Sequence, residues 1–96
     1  YLTSKASIDF MTKCLAVELA SHGILVNSIA PGPTMRPPEI DQQTWKTEVI
    51  EESPLRRESS AEEMAELIVS LLRSETITGE TIRVDSGRHL VGPGSA

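Results

Sequence analysis

Tyr1 and Lys5 stand four residues apart at the head of the chain. At that spacing two side chains share one face of a helix. An ammonium held beside a phenol favours the phenolate, because it stabilises the negative form. At ~4 Å and an effective dielectric near 20, one ammonium supplies about 4 kcal/mol. One pKa unit is worth about 1.4 kcal/mol, so a shift of a few units is within reach. A Tyr tuned this way trades a proton with a substrate oxygen at working pH. Two further blocks follow: Pro31-Gly32 after an apolar run, and the segment Ile77 to Gly87.

The elements that must position these residues follow from periodicity. Ile8, Met11, Leu15 and Leu19 recur at helical spacing and predict a helix over 3–21 with those residues facing the core. His22-Gly23 ends it, with Gly23 as a left-handed cap. Residues 24–30 are mostly apolar and β-branched, without polar alternation, which predicts a strand covered on both faces, as in a parallel sheet. Helix, loop and strand in such close order form an α/β unit. Pro31, Pro33, Pro37 and Pro38 then break regular structure. Residues 39–52 hold a short polar helix around Trp45 and Val49. Ser60-Ala61-Glu62-Glu63 is a capping box, and the helix after it is expected to bury Met64, Leu67, Ile68, Leu71 and Leu72. Thr78-Gly79 turns into a strand, Thr81 to Val84, and the tail from Gly92 to Ala96 is expected to be mobile.

Composition bounds the answer. The 96 residues make one small domain or part of a larger one, and the first is not Met, which points to a longer protein. Apolar residues are 39% and charged residues 24%, a globular balance that excludes disorder. The net charge is −5, and nine of the 14 acids lie between Glu39 and Glu66 against three bases. Such a stretch repels nucleic acid and anionic membrane surfaces, so neither is an expected partner. No apolar run approaches the ~20 residues of a membrane span. Cys14 is alone, which rules out an intrachain disulfide, and its apolar helix predicts a buried, inert thiol. His22 and His89 lack metal partners at useful spacing, so no metal site is expected.

Three blocks in the right order give the chain a resemblance to the short-chain dehydrogenase/reductase family. Tyr1-Leu2-Thr3-Ser4-Lys5 resembles its Tyr-x-x-x-Lys motif. The block from His22 to Gly32 resembles a family strand with its Pro-Gly turn, and Ile77 to Gly87 resembles the last strand. The resemblance covers nearly all of residues 1–90. It implies an α/β fold: the C-terminal portion of a Rossmann-like, doubly wound parallel sheet, with two adjacent parallel strands and flanking helices. Residues 1–90 would be part of a single NAD(P)-binding domain, 36–53 its variable substrate loop and 91–96 a flexible tail.

The implied activity is hydride transfer between NADP or NAD and a carbonyl, alcohol or pterin imine, in the cytoplasm. Tyr1 would be the proton donor or acceptor. Lys5 would lower the Tyr1 pKa and hold the nicotinamide ribose. Pro31, Gly32, Pro33 and Thr34 would contact the nicotinamide, with Gly32 letting the backbone approach a ligand. Met35, at the head of the substrate loop, and Trp45 within it would border the substrate. Arg36 stands where the family often has a Thr. The ending from Asp85 to Leu90 leans toward the pteridine- and dihydromonapterin-reductase-like branch. A 3-oxoacyl-carrier-protein reductase or a general alcohol/ketone dehydrogenase is the alternative, and a non-catalytic binding or assembly module is the alternative from another class. The family's glycine-rich loop, its NAD-or-NADP selector and its carbonyl-polarising Ser are expected before Tyr1, so these 96 residues alone are expected to be inactive. The full-length protein is expected to be a homodimer or homotetramer, pairing through Phe10, Cys14 and Val17 and through the last strand.

Overall fold

The computed structural model describes residues 2–32 and 36–91, and for residues 2–5 the backbone alone. Helix α1 runs over Leu2–Leu19 and tightens into a 3-10 turn, Ala20–His22. Gly23 then takes the left-handed conformation, φ 71°, and donates its N–H to the Ala20 carbonyl at 3.0 Å. That cap is the one the sequence predicts. Strand β1 is Ser28–Pro31. Helix α2, Gln42–Thr44, continues as a π-helical segment, Trp45–Ile50. Helix α3 is Ala61–Arg73, strand β2 is Thr81–Val84, and a 3-10 turn, Arg88–Leu90, follows.

The two strands form one parallel sheet. Ser28 donates to the Glu80 carbonyl and Gly32 to the Val84 carbonyl, both at 2.9 Å and at the same offset. Parallel strands need a long crossover, which here includes α3. Ser60 Oγ accepts the Glu63 N–H at 3.0 Å, the expected half of the capping box that starts α3.

The chain divides into two compact units: Tyr1–Ile29 with Leu67–Ile82, and Ala30–Glu66 with Arg83–Ala96. In the first, the 77–80 turn takes up the backbone before β1. Val26 donates to Thr78 Oγ1 at 3.0 Å and accepts from the Gly79 N–H at 2.8 Å. The Asn27 amide donates to the Ile77 carbonyl and accepts from the Glu80 N–H. These bonds correct the predicted start of the strand. Regular pairing begins at Ser28 and not at Ile24, because Val26 and Asn27 are committed to a turn.

The face that α1 buries also differs from the prediction. Ile8, Met11 and Leu15 are exposed, whereas Thr12 is buried, Ala16 is 3% exposed, and Asp9 and Leu19 are half-buried. The buried stripe holds small side chains, and a Cβ built on Gly79 would lie 3.5 Å from the Ala16 Cβ. Close approach selects small residues over large apolar ones at such a contact. Cys14, expected inside, is exposed, since it lies off that stripe. Helix α3 leaves Ile68 46% and Leu72 80% exposed, with Met64, Leu67 and Leu71 half-buried, so its expected core face is largely open. Leu25, Asn27, Ile29, Ile68, Leu71 and Leu72 line an open cleft of about 450 Å³.

In the second unit, Val84 O accepts from both the Gly32 N–H and Ser59 Oγ, the latter at 2.6 Å. Leu55 N–H donates to the Ser86 carbonyl at 3.0 Å, and Ser86 Oγ donates to the Arg57 carbonyl. Asp41 Oδ1 caps α2 by accepting the Thr44 N–H at 2.7 Å.

A polar chain links α1 to the strand starts. Thr81 Oγ1 donates to Asp9 Oδ1 at 2.6 Å, and Ser28 Oγ lies 2.8 Å from Thr81 Oγ1. Thr81 has one hydroxyl proton and spends it on Asp9, so Ser28 must be the donor in the second bond. Thr81→Val keeps the shape and removes both bonds. It should lower stability by about 1–3 kcal/mol. A double-mutant cycle of thermal unfolding with Asp9→Ala should show the two losses to be less than additive.

Candidate active site

The first candidate residue, Tyr1, lies outside the described residues. Lys5 lies in the first turns of α1, placed there by its backbone. Asp9 follows Lys5 by one helical turn and is fixed on two sides. Its Oδ1 accepts from Thr81 and its Oδ2 accepts from Lys13 Nζ at 3.2 Å. The helix that carries Lys5 is therefore tied at Asp9 to the start of β2. No residue of this chain of bonds was singled out by sequence reasoning. The available signal was Asp9 at i+4 from Lys5 on one helix.

Pro31 ends β1 and is exposed. Gly32 follows, half-buried. A Cβ built on Gly32 would lie 2.6 Å from both the Cα and the Cβ of Asp85. No side chain fits there without moving backbone. The close approach seen at Gly32 is thus to Asp85, where the sequence suggested approach to a ligand. Pro33, Thr34 and Met35 lie outside the described residues. Arg36 donates from Nη1 to the Ile40 carbonyl and so braces its own turn.

Trp45 opens the π-helical segment and is half-buried. Its Nε1 is buried and has no acceptor among the described residues. Val49, one turn on, accepts from Arg88 Nη1 at 2.9 Å and from Ser53 Oγ at 3.3 Å. Among the described residues no group of three or more His, Cys, Asp or Glu could hold a metal ion, and no helix is long and apolar enough to cross a membrane.

Asp85 is a hub that sequence reasoning passed over, although Asp-x-Gly is a turn signature. Its side chain is 12% exposed. The carboxylate accepts the Gly87 N–H at 3.1 Å, the His89 N–H at 3.0 Å and the His89 ring Nδ1 at 2.8 Å. An ionised carboxylate only accepts, so the Nδ1 proton is the one that is shared. Burial pushes the Asp85 carboxyl up, but the hydrogen bonds from the His89 ring and backbone outweigh it and hold the group below its ordinary value. A depressed carboxyl stabilises the fold above its unfolded pKa, about 3.9, and that stability is lost as pH falls through the folded value. Thermal unfolding of the protein from pH 6 to pH 3 should therefore show a steep acid loss, which Asp85→Asn should flatten while lowering the melting temperature at pH 6.

A family model described as Enoyl-(Acyl carrier protein) reductase matches residues 1–89. The enoyl-(acyl-carrier-protein) reductase (NADH) FabI of Bacillus cereus is 39% identical over 94 residues, which are 93% of this chain and 37% of that protein. L-xylulose reductase of Caenorhabditis elegans is 33% identical over 94 residues, 91% of this chain and 37% of that protein. The crystal structure of FolM alternative dihydrofolate reductase 1 from Brucella canis, complexed with NADP, superposes with a TM-score of 0.84 at 32% identity, over 100% of this chain and 38% of that one. The chain thus spans little more than a third of the length of these relatives. Helix, crossover and parallel strand pair are those of Rossmann-fold proteins, and with the match over residues 1–89 the chain belongs to the short-chain dehydrogenase/reductase family.

Proposed function

We propose that the chain is the C-terminal part of a single NAD(P)-binding domain, residues 1–90 with a substrate loop at 36–53, in a nicotinamide-dependent reductase. The observation that carries this reading is Tyr1-x-x-x-Lys5 at the head of α1, followed by a parallel strand pair whose first strand ends in Pro31-Gly32. Ligands of open α/β sheets bind at the carboxyl ends of the strands, and Pro31, exposed at that end of β1, fits such a use. The open apolar residues of α3 fit a further layer supplied by the rest of the domain.

When bound, NADPH or NADH would supply the hydride and leave as NADP+ or NAD+. Pro31, Gly32, Pro33 and Thr34 would hold the nicotinamide end, and Lys5 would hold the ribose. Tyr1 gives its hydroxyl proton to the substrate oxygen, or to the nitrogen of a pterin imine, as the carbon gains the hydride. Lys5 keeps the resulting phenolate low in energy until solvent returns the proton. Met35 and Trp45 border the substrate. We favour a dihydropterin-like substrate, supported by the Asp85 to Leu90 ending and by the overlap of this chain with 38% of the Brucella FolM structure. The second reading, an acyl-carrier-protein thioester, is favoured by the family-model description and the Bacillus relative. The same reading places the protein in the cytoplasm, a reducing compartment that suits the exposed thiol of Cys14.

Assays of the full-length protein with NADPH and NADH should show turnover of 7,8-dihydrofolate or dihydrobiopterin above that of acetoacetyl- and crotonyl-thioesters. The reverse order would favour the second reading. Lys5→Ala should lower kcat/KM by about 10²–10⁴-fold, the usual worth of a tuned proton-transfer group. Unchanged turnover in that variant would reject the assignment.

We also infer that the full-length protein pairs as a homodimer or homotetramer through the outer face of α1 and through β2. Phe10 is 68% and Val17 79% exposed on that face. Size-exclusion chromatography with light scattering should give a multiple of the chain mass, and Phe10→Glu with Val17→Glu should shift it toward monomer. A monomeric wild type would reject the interface.

A further inference from the structure

One short turn, residues 85–89, holds both segments that the proposed function assigns to ligands. On one side Gly32 lies flush against Asp85. A Cβ built on Gly32 would fall 2.6 Å from the Asp85 Cα, and the Gly32 N–H donates to the neighbouring Val84 carbonyl at 2.9 Å. The position of the Pro31-Gly32 turn therefore depends on where the Asp85 backbone sits. That backbone is set by the Asp85 carboxylate, which gathers the Gly87 and His89 N–H groups and the His89 ring around itself.

On the other side Arg88 Nη1 donates to the Val49 carbonyl at 2.9 Å. Val49 belongs to the π-helical segment Trp45–Ile50. A π-helical turn departs from the ordinary ladder and is found frequently at functional sites. Arg88 gives it a charged donor, at a carbonyl that also accepts from Ser53 Oγ at 3.3 Å.

We propose that Asp85 and Arg88 are positioning residues: Asp85 sets the Pro31-Gly32 turn for the cofactor, and Arg88 sets the 45–50 segment for the substrate. The inference rests on the reading that residues 31–34 hold the nicotinamide and 36–53 form the substrate loop. Two adjacent loops are thereby adjusted by separate side chains of one turn. Asn at position 85 turns an amide NH₂ toward N–H donors, so the turn must rearrange and Gly32 loses its support. Met at position 88 keeps an aliphatic stem and removes only the donor.

The test uses the full-length protein with two readouts. Hydrogen exchange should rise over residues 28–34 in Asp85→Asn and over 45–53 in Arg88→Met, each variant leaving the other segment unchanged. Titration with NADPH or NADH should show about tenfold weaker cofactor binding in Asp85→Asn and a change within twofold in Arg88→Met, tenfold being the equivalent of one hydrogen bond. For whichever of 7,8-dihydrofolate and acetoacetyl-CoA is turned over, Arg88→Met should raise KM about tenfold with kcat within twofold. Arg88→Lys, which retains a donor, should recover part of that loss. Exchange rising at both segments in both variants, or cofactor and substrate binding weakened together in step with melting temperature, would overturn the proposal. So would unchanged exchange at the assigned segments. A wild-type protein that binds neither cofactor, or a Lys5→Ala variant with unchanged turnover, would instead overturn the functional reading beneath it; in that case the affinity assignments fall, and exchange alone decides whether the turn positions the two segments.

Discussion

The parallel register of β1 against β2 is the constraint on which the other features depend. It brings Ser28 beside Glu80 and Gly32 beside Val84. Side chains alternate along a strand, so a slip of one residue would send each to the opposite face. With this register Ser28 and Thr81 meet through their hydroxyls, and Thr81 reaches Asp9. With this register also, Gly32 comes to rest on Asp85, where only a residue without a side chain fits. The glycine at position 32 is required by neighbouring backbone before any ligand is considered.

The Ser28–Thr81–Asp9 chain shows how a helix that contributes few buried apolar atoms can still be located. Among the described residues, Ala16 is the apolar residue of α1 that is buried. A stripe of small side chains allows close approach but supplies little burial energy of its own. Direction then comes from hydrogen bonds that end on a charge, which are shorter and stronger than neutral ones. Asp9 receives such bonds from Thr81 and from Lys13. Because Lys5 precedes Asp9 by one turn of the same helix, the bond to Thr81 fixes the rotation of the element that presents Lys5.

What the sequence disclosed and what it hid divide along range. The Gly23 cap, the Ser60 cap of α3 and strand β2 were legible, because each is decided by neighbours a few residues away. The helix around Trp45 and Val49 was legible as helix, though not as a π-helical turn, whose support comes from Arg88. The start of β1 was not legible. Val26 and Asn27 are spent on the 77–80 turn, fifty residues distant in the chain. The buried face of α1 was misread for a related reason. Large apolar residues at helical spacing suggested the core side, whereas the contact with Gly79 selected Ala16 and Thr12 and left Cys14 outside.

The candidate site divides in the same way. Tyr1-x-x-x-Lys5 and Pro31-Gly32 are recognisable because the chemistry demands residue types at short spacing. The groups that hold such residues in place are under no such demand. Asp85 serves by gathering three donors, and Asn, Ser or Thr could close related turns elsewhere. Arg88 serves by reaching a carbonyl, a task any long donor could attempt. Their importance lies in which distant backbone they meet, Gly32 and Val49, and that is written only in the folded register. A residue that touches a ligand is constrained by the ligand's chemistry and announces itself in a motif. A residue that positions another is constrained by geometry alone, and only the structure identifies it.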